Sequence, residues 1–496
     1  MSQGRRKKEE NNKDKKSTKN EKNNPKGNII FKILAFVYFL ITIVFYIAVI
    51  QIDMLPTLYT VVFTIAEILF TYLIIRGIAK SRKGYVINII CIIIAILISA
   101  VYVYATNYLL ATSNFLGNVF KQVTETEQYY IVSKKDSSYT NIEDVEGTDV
   151  YLFQIEESVK NDLENKVNVT LKSEQNLTDL GTKLIDDEID TIFVSLTQYE
   201  MLSEEIKGFK ENTKIIYIVN HDVKVESVIE NTNSEHTIEN GIFNVYVSGI
   251  DTTGSITNVA RSDANILATV NTKTHEILLT SIPRDYYVTL HSKDANDKLT
   301  HSGIYGISET VTSVEDLLDI DINYYVRINF TTVIKLVDII GGVDVYSEYN
   351  FSTNTDPSFT FTKGNTHLNG QQALAYSRER YSFVDGDNQR IKNQQQVIEA
   401  IIEKVLSSNT ILTKYINILN SMEGSFQTNI TQDEVSKLVQ DQLSSMSSWK
   451  ITTNSLTGTG AYYPTYSMGS QELYVMIPDN ESIEEAEEQI HKVMGE

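Results

Sequence analysis

Cysteine, histidine and net positive charge are scarce in this chain of 496 residues. A single cysteine, Cys91, excludes an intramolecular disulfide and any zinc site that needs several thiolates. The seven histidines form no pair at metal-ligand spacing, and the sequence has neither a His-Glu-x-x-His nor a Gly-x-Ser-x-Gly motif. Residues 249–255 resemble a phosphate-binding loop but lack its lysine, which argues against a Walker nucleotide site. A formal net charge of −21 argues against a general nucleic-acid binder.

The two signs of charge are divided unevenly along the chain. Residues 1–83 contain 15 Lys and Arg against 6 Asp and Glu, whereas the remainder contains 28 against 58. A basic start and an acidic body indicate that the two parts lie in different compartments. The composition, 42% hydrophobic and 10% aromatic, excludes a wholly disordered chain.

Three long apolar runs follow the basic start: Ile33–Ile52, Met54–Ile75 and Tyr85–Leu110. Each run is long enough to cross a hydrocarbon core of about 30 Å, so we predict three transmembrane helices. We place them within residues 29–110. Buried core helices are the alternative, but they rarely continue past about 20 uncharged residues. A cleaved signal peptide fits less well, because two further runs follow the first.

The loops between these runs predict the orientation of the helices. The tail 1–28 contains ten Lys and Arg, and the second loop contains four at 76–83, whereas the first loop offers only Asp53. Positively charged segments stay inside, so we expect the tail in the cytoplasm and everything after Leu110 outside the cell membrane. The tail could also be read as a nucleic-acid arm. Because topology already accounts for its charge, we expect no nucleic-acid partner.

Glu67 is the one acid inside these apolar runs. An intramembrane carboxylate is often functional, but the sequence shows no obvious cationic partner for it. We therefore expect Glu67 to be protonated or to face the interior of the helix bundle.

The exported part reads as two α/β domains. Residues 111–240 predict a small accessory domain without recognisable chemistry, and residues 241–496 predict a larger domain with a mixed sheet. The predicted strands are Asp149–Phe153, Thr191–Val194, Lys214–Val219, Phe243–Ile250, Asn265–Asn271, Glu276–Ile282, Tyr324–Phe330, Val343–Tyr346 and Glu472–Ile477. The predicted helices are Glu156–Asn165, Leu177–Asp187, Val311–Leu318, Thr331–Ile340, Asn388–Leu406 and Glu481–Met494, with two more helices before the last strand.

Arginine is rare in the exported part, and its arginines are clustered. Six arginines fall within 130 of the 386 exported residues: Arg261, Arg284, Arg327, Arg378, Arg380 and Arg390. Lysine is used elsewhere, so these positions indicate a need for the planar guanidinium fork, which binds phosphate or carboxylate bidentately. Structural ion pairs are the alternative for each arginine taken alone, because an acid lies close to several of them in sequence. Six together in an acidic domain favour an anion-binding site.

Two acids accompany the arginines. Asp251 follows the predicted strand Phe243–Ile250, and Asp263 opens the next one. Ligands of α/β sheets usually bind at strand ends, and two carboxylates together with phosphate oxygens suit Mg²⁺. From spacing alone, two surface acids are an equal alternative.

Seven longer motifs stand in order between about residues 243 and 407. They are Val247-Ser-Gly-Ile-Asp251, Arg261-Ser-Asp263-Ala-Asn-Ile-Leu267, Thr280-Ser-Ile-Pro-Arg284-Asp285-Tyr-Tyr287, Asp297-Lys-Leu-Thr-His-Ser-Gly-Ile-Tyr305, Tyr324-Tyr-Val-Arg327-Ile-Asn-Phe330, Ile340-Gly-Gly-Val-Asp-Val345 and Ala375-Tyr-Ser-Arg378-Glu-Arg380. Together they resemble the LytR-CpsA-Psr family. The resemblance implies that family's fold, a mixed central sheet flanked by helices.

The resemblance also implies an activity. Family members transfer a capsule or teichoic-acid-like polymer from a polyprenyl (undecaprenyl) pyrophosphate lipid to peptidoglycan, through a phosphodiester, outside the cell membrane. It further implies Mg²⁺, or alternatively Mn²⁺, on Asp251 and Asp263. The positions that match the family's pyrophosphate-binding set are Arg261, Arg284, Arg378, Arg380, Arg390 and Gln394. Relatives often have further arginines where Asn388 and Lys392 stand here.

Chemical roles follow from this resemblance. Phosphoryl transfer needs charge neutralisation and in-line placement more than covalent help. The arginines expected to act in catalysis are Arg261, Arg284, Arg378 and Arg380. Asp285 is the candidate general base because it stands beside Arg284, and Arg327 is the weakest member of the substrate-binding set. The isoprenoid tail of the donor predicts an apolar cleft in the α/β core.

Other functions stay open at this point. The protein could hold a lipid-linked polymer as a regulatory scaffold without chemistry, because binding and catalysis need the same arginines. It could also hydrolyse the polyprenyl pyrophosphate instead of transferring the polymer. A DNA-reading regulator is disfavoured, since nothing in residues 1–28 resembles a folded DNA-reading module. The residues do not distinguish a capsule from a teichoic-acid-like polymer.

Overall fold

The structure is a computed structural model of the chain. It describes residues 25–52, 55–79, 86–119, 124–224, 237–250, 256, 260–384, 386–406, 426–445 and 447–495. Asp251, most of the basic tail and residues 407–425 lie outside the described residues. The chain divides into two units, residues 1–110 and 111–496.

The first unit is built from long apolar helices. They are α1 (Pro25–Ile52), α2 (Thr57–Ala79) and α3 (Val86–Val119). The segments long and apolar enough to span a membrane are Ile29–Ile52, Thr57–Ala79 and Val86–Ala111. The three predicted apolar helices are confirmed, and they indicate membrane anchoring. Helix α2 begins after Pro56, later than predicted, because proline is tolerated at the start of a helix but not in its interior.

Glu67 faces the interior of this helix bundle. Its two carboxylate oxygens accept hydrogen bonds from the Tyr102 hydroxyl at 2.8 and 2.7 Å, and Thr71 donates to one of them at 3.1 Å. Only 8% of Glu67 is exposed. Polar side chains inside an apolar bundle are stabilised by such partners. The contact joins α2 to α3, and it agrees with one of the two expectations for this residue.

The second unit begins with an accessory five-stranded sheet. Its strands are β1 (Thr124–Lys134), β2 (Asp149–Leu152), β3 (Thr170–Ser173), β4 (Thr191–Ser195) and β5 (Thr213–Lys224). Its helices are α4 (Glu157–Glu164), α5 (Leu177–Ile185), α6 (Leu196–Glu205) and α7 (Phe209–Asn212). The order is β3-β2-β4-β1-β5, with β1 antiparallel to both of its neighbours.

A six-stranded mixed sheet forms the centre of the remaining residues. The strands of this whole region, six of which form the central sheet, are β6 (Ile242–Ile250), β7 (Ser262–Asn271), β8 (Glu276–Ile282), β9 (Tyr287–Leu290), β10 (Ala295–Lys298), β11 (Tyr324–Asn329), β12 (Val343–Ser347), β13 (Phe351–Ser352), β14 (Thr360–Phe361), β15 (Gly364–Leu368), β16 (Phe426–Thr428), β17 (Lys450–Ser455), β18 (Gly458–Thr465) and β19 (Gly469–Pro478). The central order is β16-β11-β6-β7-β8-β17. The pairs β11–β6 and β8–β17 are parallel, and the other neighbours are antiparallel.

Helices cover both faces of this central sheet. They are α8 (Leu299–Ser302), α9 (Ile307–Leu318), α10 (Phe330–Ile340), α11 (Gly370–Arg378), α12 (Gly386–Leu406), α13 (Gln432–Ser445) and α14 (Asn480–Met494). On one face α9 and α14 pack with Tyr246 and Leu267. On the other face Leu438 of α13 packs with Val245 and Ala268. Successive strand residues point to opposite faces, so the two packings form separate layers. The mixed sheet flanked by helices is confirmed.

The hairpin β18–β19 joins the central sheet to the accessory sheet. Met468 at its turn and Leu473 on β19 are buried in the accessory core. Asn176 Nδ2 donates to Ser470 Oγ at 2.8 Å across the same boundary. The accessory core is therefore completed by residues from far beyond the predicted boundary at residue 240.

Candidate functional site

A cavity of about 400 Å³ opens where β6 and β11 end, with α10, α11 and α12 forming its opposite wall. Ligands of α/β sheets are usually bound outside such strand ends. The apolar residues that line it are Ile250, Ile328, Phe330, Val333, Phe359, Leu374, Ala375, Val397, Ile398 and Ile401. The α/β core thus contains an apolar cleft of the kind that the sequence predicts.

The polar end of this cavity is lined by six of the predicted site residues. They are Asp263, Arg284, Arg378, Arg380, Arg390 and Gln394. Arg284 follows β8, Arg378 ends α11, and Arg390 lies in the first turns of α12. Gln394 comes four residues after Arg390, so one face of α12 presents both side chains. Four guanidinium groups around one cavity suit an anion with more than one negative charge.

Asp263 is held among cations at the start of β7. Its Oδ1 accepts hydrogen bonds from Arg284 Nη1 and from Thr300 Oγ1, each at 2.9 Å. Burial raises the pKa of this carboxyl, but the charges of Arg284, Arg261 and Arg390 lower it more strongly. The net pKa of Asp263 therefore lies well below its ordinary value, and the side chain lines the cavity as an anion. Thr300 is a contact that the sequence did not indicate.

Asp285, the predicted general base, lies behind Arg284 and does not line this cavity. It is 5% exposed, and it pairs with Lys298 Nζ at 3.2 Å and Arg284 Nε at 3.6 Å. Burial raises the pKa of Asp285, but the charges of its cationic neighbours outweigh burial and leave the pKa lowered. A buried, paired carboxylate orients Arg284. The geometry does not favour Asp285 as the group that takes a proton from a substrate.

Arg261 also lies off the cavity lining. Its Nη1 and Nη2 each donate to a different carboxylate oxygen of Glu204, both at 2.8 Å. Glu204 lies on α6 of the accessory domain and lines the cavity beside Asp263 and Arg284. The sequence did not indicate Glu204, because an acid at the end of a polar helix gives no signal of a contact with an arginine 57 residues later.

Arg327 is not brought to the cavity. It is 1% exposed on β11, and its Nη1 donates to Gln427 Oε1 at 3.4 Å on the neighbouring strand β16. The cavity is lined instead by the next residues of the strand, Ile328 and Asn329. Arg327 therefore lies within the sheet and does not line the cavity, so its predicted place in the substrate-binding set is not supported.

Two arginines of the cavity lie against aromatic rings. Arg378 Cζ is 4.2 Å from the ring centroid of Phe330, and Arg380 Cζ is 4.6 Å from that of Tyr381. Between the two arginines, Glu379 is 4% exposed and accepts two backbone N–H groups at 2.6 and 2.9 Å. The buried carboxylate fixes the backbone from which both arginines project. The rings restrict the guanidinium planes from the other side.

Of the two acids predicted to hold a metal ion, Asp263 lies among the described residues that line the cavity, and Asp251 lies outside the described residues. Asp263 presents the hard oxygen ligand that Mg²⁺ prefers. Ile250, which directly precedes Asp251 in sequence, pairs with Ser262, which directly precedes Asp263. Within the described residues, no group of three or more His, Cys, Asp or Glu could hold a metal ion. The two-carboxylate metal site therefore stays a prediction.

Comparison with known families bears on the whole of this region. Residues 202–492, more than half of the chain, match the model of the LytR_cpsA_psr family. The chain belongs to the LytR-CpsA-Psr family. The LytR-CpsA-Psr match begins within α6 and includes Glu204 and every described residue at the polar end of the cavity.

Several known proteins are similar to this member of the LytR-CpsA-Psr family. A protein of Enterococcus faecalis, named polyisoprenyl-teichoic acid–peptidoglycan teichoic acid transferase TagU, is 38% identical over 221 residues, which are 44% of this chain and 71% of that protein. The protein of the same name from Bacillus cereus is 36% identical over 192 residues, 38% of this chain and 61% of that protein. The crystal structure of B. subtilis TagV is 30% identical, with a TM-score of 0.43, over 51% of this chain and 97% of that one.

Proposed function

We propose that this protein is a membrane-anchored transferase of a wall glycopolymer. It takes a capsule or teichoic-acid-like polymer from a polyprenyl pyrophosphate lipid and joins it to peptidoglycan through a phosphodiester. One observation carries the proposal: a single cavity combines an apolar wall with four arginines at its polar end. Family membership and the name of the TagU relatives support the same activity.

The apolar wall suits the isoprenoid tail of the donor. The cavity volume of about 400 Å³ falls within the usual range of about 300–1,000 Å³ for small-molecule sites, so the cavity has room for part of a polyprenyl chain. Burial of apolar tail surface stabilises the complex by about 25 cal/mol per Å². Tail and pyrophosphate are consecutive in the donor. A tail held against Phe330 and Leu374 therefore leads its phosphates to the arginine end.

The arginines bind and neutralise the phosphates. An acceptor hydroxyl of peptidoglycan attacks the phosphorus next to the polymer. A new oxygen–phosphorus bond forms, the bond from that phosphorus to the bridging oxygen breaks, and polyprenyl phosphate leaves while the hydroxyl proton passes to water or a base. Arg284, Arg378 and Arg380 neutralise charge that develops on the bridging and equatorial oxygens. Asp285 and Glu379 keep these arginines in place.

We also propose Mg²⁺, with Mn²⁺ as the alternative, as the metal of this site. Asp263 and Asp251 would hold it. When bound, the ion supplies positive charge to the phosphate oxygens. The orientation of Asp263 supports this role, because two hydrogen bonds to Oδ1 fix the carboxylate beside the arginines.

The proposed topology places the basic tail in the cytoplasm and the second unit outside. Lys and Arg are concentrated in residues 1–28 and 76–83, and such segments remain on the cytoplasmic side. The three apolar helices tether the transferase to the membrane that carries its lipid-linked donor.

Turnover of a defined donor by the full chain in detergent tests this function. The reaction contains Mg²⁺, a short lipid-pyrophosphate-sugar donor and peptidoglycan fragments. We expect release of polyprenyl phosphate together with label on the glycan. Arg284→Ala should lower kcat/KM by about 100-fold or more, since loss of a preorganised charge at the reacting phosphate costs about 3 kcal/mol. Lys210→Ala, on the accessory surface, is the matched control and should leave turnover unchanged.

Other outcomes of this assay would indicate a different function for the protein. Release without label on any acceptor indicates a pyrophosphatase. Tight donor binding without release indicates the regulatory scaffold. A chelator should stop turnover, and Mg²⁺ should restore it. Undiminished turnover in chelator would refute the metal while leaving the transferase intact.

A further inference from the structure

Glu204 places a carboxylate from the accessory domain at the anion site. Its two oxygens receive the two Nη groups of Arg261 at 2.8 Å each, which is the bidentate geometry that a phosphate would also accept. Burial raises the pKa of Glu204, but its bonds to Arg261 and the charge of Arg284 outweigh this and lower it. The carboxylate is therefore ionised at neutral pH and satisfies this fork of Arg261.

Glu204 also lies between two cavities. The larger one contains the four arginines and the apolar wall. A smaller one, of about 30 Å³, lies on the other side and is lined by Arg261, Lys298 and Thr300. Glu204 and Arg284 line both cavities. With Glu204 in this position, Arg261 faces the small cavity and does not line the large one.

The two partners of this ion pair differ in their freedom to move. The side chain of Arg261 is 6% exposed, whereas that of Glu204 is 57% exposed. Glu204 is the second-last residue of α6, so its side chain can swing into solvent without disturbing the helix core. Because the Glu204 carboxylate is half-exposed, water solvates it once it leaves Arg261. Exchange of Glu204 for another anion on a fixed Arg261 is therefore inexpensive.

We propose that Glu204 acts as a latch on the anion site: its carboxylate competes with the donor pyrophosphate for Arg261. When the donor binds, the Glu204 carboxylate leaves, Arg261 joins Arg284 around the phosphates, and the two cavities become continuous. The accessory domain then sets the affinity of the transferase for its lipid-linked donor. This inference rests on the proposed function, because it takes the arginine end of the cavity as the phosphate site.

Binding of inorganic pyrophosphate to the full chain in detergent tests the latch, by titration calorimetry and without chemistry. Glu204→Gln keeps the size of the side chain and removes its charge. We expect it to tighten pyrophosphate binding about tenfold, the range for one charge-assisted interaction with arginine. Glu211→Gln is the matched control: it removes the same charge at an exposed residue of α7 in the accessory domain, which lines neither of the two cavities. It should leave the affinity within about twofold, as for an exposed rim charge.

A variant of Arg261 distinguishes a latch from a general effect of the Glu204 charge. In an Arg261→Gln background, Glu204→Gln should give no gain. An equal gain in pyrophosphate affinity in that background would show that Glu204 acts only as a remote negative charge. Unchanged or weaker binding by Glu204→Gln itself would overturn the latch and make Glu204 a residue that positions Arg261. Glu204→Ala provides a second variant, and its gain must have the same sign.

The latch and the proposed function fail in different ways. If the gain in pyrophosphate affinity is present but no donor is turned over, the latch stands and the transferase does not. If wild-type protein transfers polymer and Glu204→Gln shows no gain in pyrophosphate affinity and no fall in donor KM, the transferase stands and the latch does not.

Discussion

At the scale of single residues, the site depends on arginine geometry as much as on charge. Arg378 and Arg380 each lie against an aromatic ring, at 4.2 and 4.6 Å from the ring centroid, and each lines the cavity. A guanidinium stacks flat on a ring and offers two parallel N–H donors, whereas an ammonium does neither. The two positions therefore test whether the phosphates are bound by forks or by point charges.

Replacement of either arginine by lysine keeps the charge and removes the fork. We expect Arg378→Lys and Arg380→Lys each to cost about 1–3 kcal/mol in transition-state stabilisation, or roughly 5- to 150-fold in kcat/KM. Turnover of the short donor measures this. Full activity in both variants would show that the arginines act only through charge. Arg327→Lys is the comparison, because that buried residue contacts Gln427 and not the cavity.

The sequence indicates which residue types form the site better than it indicates their roles. The clustering of six arginines in a lysine-using, acidic chain is visible without a fold, and four of them line one cavity. Arg261 and Arg327 differ from these four only in their tertiary neighbours. Those neighbours include Glu204 for Arg261 and Gln427 for Arg327, which are 57 and 100 residues away in sequence. Motif matching cannot separate such cases, since it reports identity at a position and not the partner that the fold supplies.

At the scale of elements, a close helix contact sets one wall of the cavity. Gly370, the first residue of α11, lies against α10: an added Cβ would be 2.2 Å from the Ile334 carbonyl oxygen. Its N–H donates to Asp338 Oδ1 at 2.7 Å. Only a residue without a side chain permits this approach, so the glycine fixes the distance between the two helices.

Gly370→Ala should therefore push α11, and Arg378 at its end, away from α10. We expect a loss of about 1–3 kcal/mol in the free energy of unfolding, as for overpacked cores, together with weaker pyrophosphate binding. Denaturant unfolding and calorimetry of the full chain measure the two effects. Gln371→Ala, one residue later with its side chain exposed, is the control and should change stability by less than about 0.5 kcal/mol. A Gly370→Ala protein as stable as wild type would mean that the helices adjust freely.

Many elements with a strong apolar pattern could be predicted from the sequence, whereas most short or polar strands and the interior strand β1 could not. The strand Glu276–Ile282 is found as predicted, and the helix Thr331–Ile340 begins one residue earlier, at Phe330, because Asn329 caps it. Ten of the described strands were not predicted: β1, β3, β9, β10, β13, β14, β15, β16, β17 and β18. Two helices were expected before the last strand. One of these is α13, and residues 407–425 lie outside the described part of the chain. Strand β17, Lys450–Ser455, is mostly polar, because within the described part of the chain it lies at the sheet edge and pairs only with β8. No alternation of apolar residues therefore marks it in the sequence.

At the scale of the whole molecule, the accessory domain and the transferase domain share structure across a long stretch of sequence. Residue 240 is a reasonable boundary by composition, since a polar segment precedes it. The hairpin β18–β19 crosses that boundary in space, because Met468 and Leu473 are buried with residues of β4 and α5. A contact between segments nearly 300 residues apart leaves no local sequence pattern, which is why the shared core was not predicted.

This sharing predicts that a change in the hairpin loosens the accessory sheet. Met468 is fully buried in the accessory core, so Met468→Ala should cost about 2–5 kcal/mol, the usual range for such truncations. Faster amide hydrogen exchange should then appear in β4, Thr191–Ser195, more than 270 residues earlier in the chain. Glu472→Ala, an exposed neighbour on β19, is the control and should leave exchange in β4 unchanged.

Because Glu204 follows β4 on α6, the same loosening should weaken the hold of Glu204 on Arg261 and tighten pyrophosphate binding. If Met468→Ala leaves the rate of amide hydrogen exchange in β4 unchanged, the accessory core is stable without the hairpin.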